Sequence, residues 1–389
     1  MNIAHFVIGR CNPYAPPSGV EKFVFHLAQT QAQAGHTVSV ISITTHAGEP
    51  LPVKPDDFDI REYPFTRSKF ILSRQFKRDI EEGRIKLDIG HLHSVFKPEL
   101  WAAGRFLRRL GVPYVITPHG GLSPWVINRS RLKKAIFNYL FQIPLYNAAA
   151  KIHILVEKEV SDLRRLGIRS PTFMIGHGFD LTELPERLNR DWFISKGPMV
   201  QNSFKLIFLG RLDPFHKGLD LLIKGFSIAI SRLKDIPMSL VLIGAPFKNN
   251  QKVISSLVKE CKVDQRVFFT GPIYGADKYH ALASADIYVQ TSRWEGMPLT
   301  LIEALACSTP CIITTATNTA ELILRCGAGF VTGPTPEDIA AKIIQAVEQR
   351  EGLHEMGKNG RRLVEQEFDW ARTAEVICNN YLEIINKTL

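Results

Sequence analysis

The strongest constraint on the fold of this chain is a rhythm that its sequence states twice. Short apolar runs alternate with amphipathic segments, and in the first half residues 3–8, 36–43, 88–93, 112–117, 151–155 and 171–175 read as strands. Helices are expected between them at 20–34, 98–110, 129–146 and 157–166. In the first of these Val20, Phe23, Val24, Leu27 and Ala28 recur at helical spacing, and Gly35 supplies the stop. The rhythm breaks over 179–203, where Pro185, Asn189, Gly197, Pro198, Asn202 and Ser203 collect. It restarts with the near-continuous apolar run 204–209, followed by strands at 239–243, 266–269, 286–290 and 311–314. Such alternation predicts an α/β fold of parallel sheets with right-handed crossovers. A chain of 389 residues is long enough for two cores. Two doubly wound Rossmann-like domains are therefore expected, over 1–190 and 200–370. The amphipathic stretch 373–385 predicts a terminal helix within 371–389 that could return to the first domain. Ligands of such sheets bind beyond the carboxyl ends of the strands, so the two sets of strand ends are expected to face a shared cleft.

Composition narrows the function classes. The residues are 45% hydrophobic and 22% charged, with no tract or repeat that would indicate disorder or a solenoid. Cys11, Cys261, Cys307, Cys311, Cys326 and Cys378 are scattered and complete no zinc set, so no metal is expected and a reducing cytosol is. The start MNIAHFVIGR lacks the features of a signal peptide. No apolar run reaches the ~20 residues of a membrane helix. A soluble or peripheral cytoplasmic protein is expected. The net charge of +10 suits an anionic partner: nucleic acid, anionic lipid or a phosphorylated substrate. Nucleic acid is not expected, because helix-turn-helix, zinc-finger and aromatic–basic signatures are missing.

Two segments of the second half carry chemistry. In FKLIFLGRLDPFHKGLDLLIKGF, residues 204–226, an apolar strand ends at Gly210, a loop carries Arg211, Asp213, His216 and Lys217, and Gly218 opens a helix. A loop between a strand and a helix N-terminus favours an anion. Arg211 offers a planar fork of donors and Lys217 a point charge, together suited to a departing diphosphate. In TSRWEGMPLTLIEALACSTPCII, residues 291–313, Glu295 lies in a loop and Glu303 in the following helix, with Pro298 expected in its first turn. Glu303 stands among Leu301, Ile302, Ala304 and Leu305, and a carboxylate in that company needs a partner such as the hydroxyls of a ribose.

These residues resemble the family 4 retaining glycosyltransferases, which adopt the GT-B fold. The likeness rests on Gly210-Arg211-Leu212 with Lys217-Gly218, and on Glu295 and Glu303, separated by seven residues. By that resemblance Arg211 and Lys217 hold the donor diphosphate, Glu303 the ribose, and Glu295 the donor sugar near its reacting carbon. It extends to PPSGVEKFVFH, residues 16–26, where Gly19 matches the glycine loop after the first strand. It also covers ITPHGGLSPW, residues 116–125, where His119 matches a histidine that meets the donor sugar. Pro298, Ser308 and Thr317-Asn318-Thr319 stand where the family often has glycine. His177-Gly178-Phe179-Asp180 reads as a turn near a hinge, without chemistry of its own.

The expected activity is transfer of a sugar from a nucleoside diphosphate sugar to a carbohydrate or lipid-linked acceptor, with retention and without a cofactor. The basic segment NRSRLKK, residues 128–134, leads an amphipathic helix that either packs its apolar face in the core or rests on an anionic membrane. Two alternatives compete. A nucleotide-sugar epimerase of similar fold would give isomerised sugar and no transfer product. A non-catalytic binding protein would hold duplex DNA in a salt-sensitive way and ignore sugar nucleotides.

Overall fold

The computed structural model describes residues 1–11, 19–51, 54–128, 131–193, 202–247 and 250–388. The chain divides into two compact units, Met1–Gly178 with Trp370–Leu389, and Phe179–Asp369. The first unit thus ends at Gly178 rather than at 190, because Phe179, Leu181, Leu184 and Phe193 pack into the core of the second.

The first unit is built on a seven-stranded sheet, with β1 (Asn2–Ile8), β2 (Thr37–Thr44), β3 (Asp59–Pro64), β4 (Ile89–His93), β5 (Tyr114–Thr117), β6 (Lys151–Ile154) and β7 (Thr172–Met174). The order is β3-β2-β1-β4-β5-β6-β7. Each pairing is parallel, as in the register from Asn2↔Thr37 to Ile8↔Ile43. Helix Gly19–Gln33 buries Phe23, Val24, Leu27 and Ala28 on one face of the sheet. Helix Pro98–Arg109 buries Leu100, Ala103 and Leu107 in a separate core cluster. The C-terminal helix Trp370–Thr388 belongs to this unit and buries Trp370, Ala374, Ile377, Tyr381 and Ile384 beside Phe23 and Val24. Lys151 fastens it through Asn380 (2.8 Å) and Glu383 (2.5 Å).

The second unit holds β8 (Phe204–Leu209), β9 (Met238–Ile243), β10 (Val267–Gly271), β11 (Ile287–Gln290), β12 (Cys311–Thr314) and β13 (Gly329–Thr332). Their order, β10-β9-β8-β11-β12-β13, is again parallel and doubly wound. Strand order reverses between β8 and β11, which opens a crevice at their carboxyl ends.

Strands β3 and β13 and helix Arg74–Glu81 do not stand out in the sequence. Both strands lie at sheet edges, where one side needs no apolar cover, and DIREYP accordingly carries three charges and ends on proline. The single helix expected over 129–146 is instead divided. Helices Pro124–Asn128 and Arg131–Phe137 lead into a π turn, Asn138–Gln142, and then helix Ile143–Asn147. Pro144 cannot donate to the turn before it, and the ladder widens there: the Ile143 N–H reaches back five residues to the Asn138 carbonyl. Residues 129 and 130 of the basic segment lie outside the described residues.

Candidate functional site

In the second unit the loops after β8 and β11 are joined on the two sides of the strand-order reversal. Asp213 shapes the first loop: its buried carboxylate accepts from the backbone N–H groups of Phe215 (3.2 Å) and His216 (3.1 Å). The second loop locks onto it. The Thr291 hydroxyl donates to the Gly218 carbonyl (2.9 Å), and the Arg293 N–H donates to the His216 carbonyl (3.0 Å). His216 donates through Nε2 to the Trp294 carbonyl (3.0 Å) and stacks on the indole. Arg293 forms a two-pronged bond with Asp220, both contacts 2.7 Å, and covers the Phe215 ring. Gly218 makes this approach geometrically feasible. It has φ +63°, and a Cβ there would stand 1.9 Å from the Thr291 carbonyl oxygen.

The pairing brings Lys217 and Glu295 into direct contact, Nζ to Oε1. Ser292 also donates to Oε1 (3.1 Å). Burial alone would raise the Glu295 pKa, but the charge of Lys217, the neighbouring His216 and these hydrogen bonds hold it below the usual carboxylate range. Burial keeps His216 neutral. Arg211 follows Gly210 (φ +150°) at the end of β8. Its guanidinium lies over Phe247, 4.3 Å from the ring centroid, is 50% exposed, and approaches Asp213 only to 3.9 Å. It therefore keeps donors for a ligand.

Glu303 is buried on helix Leu299–Ala306 and pairs with Lys278 at 2.8 Å. The Tyr288 hydroxyl bonds to Thr300 (2.9 Å) and Gln290 (3.1 Å), and both glutamates add to burial in pushing its pKa up. Pro298 is the N-cap of the helix (ψ 121°) rather than a residue of its first turn.

In the first unit Gly19 opens helix Gly19–Gln33, while Ser18 and the rest of 12–18 lie outside the described residues. His119 follows β5 in the left-handed region, φ +49°, which costs strain for a residue with a side chain. Glu159 holds that turn. One of its oxygens accepts from the Gly120 N–H (2.5 Å) and the other from the Leu155 N–H (2.7 Å). The ring of His119 reaches His93, Nε2 to Nδ1 at 3.2 Å, and stands edge-on to Phe23. His177 also enters this cluster, 4.9 Å from Phe23 and stacked on His119, so the turn that the sequence left without a role lines the same pocket of rings.

Six imidazoles gather here: His5, His91, His93, His119, His153 and His177. Burial drives each pKa down, to about 4 for His5 and His153 and about 3 for His177, and adjacent imidazoles add to the effect at His91, His93 and His119. Below pH 6.5 the unfolded chain takes up protons that the folded unit excludes. Each ring then removes about 1.4 kcal/mol of stability per pH unit. Glu159 acts oppositely, since burial raises it to about 7 and its contribution improves as pH falls toward 4.5. Six groups against one predict a melting temperature that drops steeply from pH 7 to pH 5. A melting temperature that stays level over that range would contradict the neutral cluster.

Sequence reading did not single out Glu159, Lys278, Thr291, Arg293, His5, His91, His93 or His153, and it gave His177 no chemistry. The signal for the histidines was present: His5, His91, His93 and His153 interrupt strands that are otherwise apolar.

Two doubly wound parallel sheets with polar loops at their carboxyl ends form the GT-B architecture of nucleotide-sugar glycosyltransferases. Residues 17–183 match the family model "Glycosyltransferase Family 4", and residues 190–363 match "Glycosyl transferases group 1". The chain belongs to the family 4 glycosyltransferases, which retain the configuration of the transferred sugar. It is 24% identical over 397 residues to a phosphatidyl-myo-inositol mannosyltransferase from Mycobacterium tuberculosis, covering 96% of each chain. Its fold is similar to sucrose-phosphate synthase from Thermosynechococcus elongatus, with a TM-score of 0.81, 20% identity and 99% of each chain covered. HepE from Anabaena, solved with UDP and glucose, superposes with a TM-score of 0.77 at 18% identity, covering 98% of this chain and 100% of that one. Among the described residues no helix is long and apolar enough to cross a membrane.

Proposed function

We propose that the second unit holds a nucleoside diphosphate sugar through Arg211, Lys217, Glu295 and Glu303, and that the sugar passes to a lipid-linked acceptor. The observation that carries this reading is the contact of Lys217 with Glu295 between loops locked together at the β8–β11 crevice. The acceptor hydroxyl attacks the anomeric carbon from the face on which the diphosphate leaves. The bond from that carbon to the phosphate oxygen breaks as the bond to the acceptor oxygen forms, and the hydroxyl proton passes to the departing phosphate. Lys217, Arg211 and Gly210-side backbone amides stabilise the negative charge on that phosphate. These cations carry the charge without a metal ion. Glu295 faces the positive charge that grows at the anomeric carbon. The family resemblance gives His119 a role toward a hydroxyl of the donor sugar, and Gly19 a role toward the phosphates and the acceptor.

The bound UDP and glucose of HepE support the donor class. A screen of UDP-, GDP- and ADP-sugars tests it, by thermal stabilisation and by nucleotide release with acceptor present. One series should raise the melting temperature, and no response to any of them would contradict the reading. Glu303→Gln should weaken nucleotide binding by about tenfold, the usual worth of a hydrogen bond to a charged group. Its titration curve would coincide with wild type if Glu303 has no part in holding the ribose.

A surface of the first unit supports the lipid-linked acceptor. Ile136, Tyr139 and Leu140 are exposed around the π turn, with Phe70 and Ile71 beside them and Lys133 exposed on the same segment. An apolar patch with basic residues suits the interface of an anionic bilayer. The named substrate of the mycobacterial relative is a phosphatidyl lipid, which agrees. The protein should sediment with phosphatidylglycerol vesicles and not with phosphatidylcholine alone. Ile136→Glu with Leu140→Glu should release it, and wild type that sediments with neither vesicle type would remove the membrane from the account.

A further inference from the structure

Two hydrogen-bonded files of side chains run through the interior of the first unit, and the chemistry of their ends sets the direction of both. The first starts at a backbone carbonyl, which can only accept. His153 donates through Nε2 to the Ile175 carbonyl (2.8 Å), so its Nδ1 is bare and accepts from the Thr117 hydroxyl (2.9 Å). The Thr117 oxygen then accepts from Nε2 of His91 (2.6 Å), which leaves His91 Nδ1 to accept from the Tyr381 hydroxyl. The proton of Tyr381 is thereby committed, and its oxygen has only lone pairs to offer.

Gln31 connects this file to the second. Its fully buried amide faces the Tyr381 hydroxyl and the Cys378 thiol on one side and His5 on the other. An amide oxygen toward Tyr381 would meet oxygen, so the NH₂ group turns that way, although Nε2 finds no hydrogen-bond partner within ordinary geometry there. The amide oxygen then accepts from His5 Nε2 at 2.7 Å. His5 Nδ1 is bare and takes the proton of His93 Nε2 (3.0 Å). His93 Nδ1 is bare in turn and takes the proton of His119 Nε2 (3.2 Å). Neutral rings are required throughout, and burial keeps them so.

We infer that Gln31, acting through His5 and His93, holds His119 as the tautomer with its proton on Nε2 and a bare Nδ1, so that this position accepts a hydrogen bond from its ligand rather than donating one. The consequence for the substrate rests on the reading of His119 as the residue that meets the donor sugar. That position then selects a hydroxyl, which can donate, and disfavours a fluorine or a keto oxygen in its place. Gln31, His5 and His93 are positioning residues, remote from the sugar. His5, His91 and His93 could also offer nitrogens to a metal ion. Both ring nitrogens of each are already engaged by Gln31, Tyr381, Thr117, His119 or one another, which favours the hydrogen-bonded file.

Long-range proton–nitrogen correlation spectra of the protein labelled with ¹⁵N-histidine test the inference on the free protein, with His119→Gln used to assign the signals. His119 should show a protonated Nε2 and an unprotonated Nδ1 at neutral pH. A proton on Nδ1, an imidazolium, or a metal-bound His5 or His93 would overturn it. Gln31→Leu should turn the His119 signal into a mixture of tautomers and raise the donor KM by about tenfold, as for a binding position whose partner is mismatched. Should Gln31→Leu fold and keep the wild-type His119 tautomer, Gln31 does not set it. Adding the donor separates the two questions: the His119 Nδ1 shift moves if His119 meets the sugar, whereas the tautomer of the free protein is decided without any donor.

Discussion

Lys217→Ala should lower turnover by about 10²- to 10³-fold, the loss typical when one preorganised donor to a developing anion is removed. Its position in a loop suggests at first that the fold would be indifferent to the change. The structure corrects that expectation. Lys217 is the main positive partner of a largely covered Glu295, with side-chain exposures of 16% and 12%. Removing one partner leaves a charge with less compensation, which costs about 3–5 kcal/mol in a fully buried pair and less in this partly covered one. Ser292 and the neutral His216 soften the loss without replacing the cation. Lys217→Ala alone should therefore melt several degrees early as well as turn over slowly. Adding Glu295→Gln removes the orphaned charge, so the double variant should regain thermal stability while turnover stays low. Recovery of turnover together with stability would mean that Lys217 serves the fold and not the diphosphate.

The second large effect is expected at Gly218. Alanine there would force a side chain into left-handed backbone and place its Cβ 1.9 Å from the Thr291 carbonyl oxygen. Backbone cannot move aside as a flexible side chain does, so the loops after β8 and β11 must part. The Thr291 bond to the Gly218 carbonyl and the contact of Lys217 with Glu295 both depend on that separation. A displacement near 1 Å of positioning groups costs roughly 10²-fold in rate. Gly218→Ala should show at least this loss in kcat/KM with donor, and a lowered melting temperature. Wild-type kcat/KM in this variant would show that the close approach of the two loops is unimportant for transfer.

Much of this architecture was legible because buried parallel strands are read as apolar runs. The run 204–209 coincides with β8, and 311–314 with β12. Strands β3 and β13 were not legible, since an edge strand needs little hydrophobic cover. The π turn lies directly before Pro144, which lacks an N–H to continue the ladder, yet periodicity alone passes over it. At the candidate site, Arg211, Lys217, Glu295 and Glu303 were proposed from their local company, and the structure sets Lys217 against Glu295. The Lys278 partner of Glu303 and the Arg293–Asp220 pair that ties the loops were not proposed, because each joins residues across a long sequence gap. The histidine files are the extreme case. Gln31, His5, His93 and His119 come from four separate elements, and only the parallel order of β1, β4 and β5 puts them in line.

The proposed task of Lys217 is to hold the diphosphate of the donor. The most direct measurement compares the affinity of the cognate nucleoside diphosphate with that of the bare nucleoside, in wild type and in the stable Lys217→Ala/Glu295→Gln variant. The nucleoside should bind both proteins alike, while the added affinity conferred by the diphosphate should fall by about tenfold or more in the variant. An undiminished diphosphate advantage in the variant would contradict it.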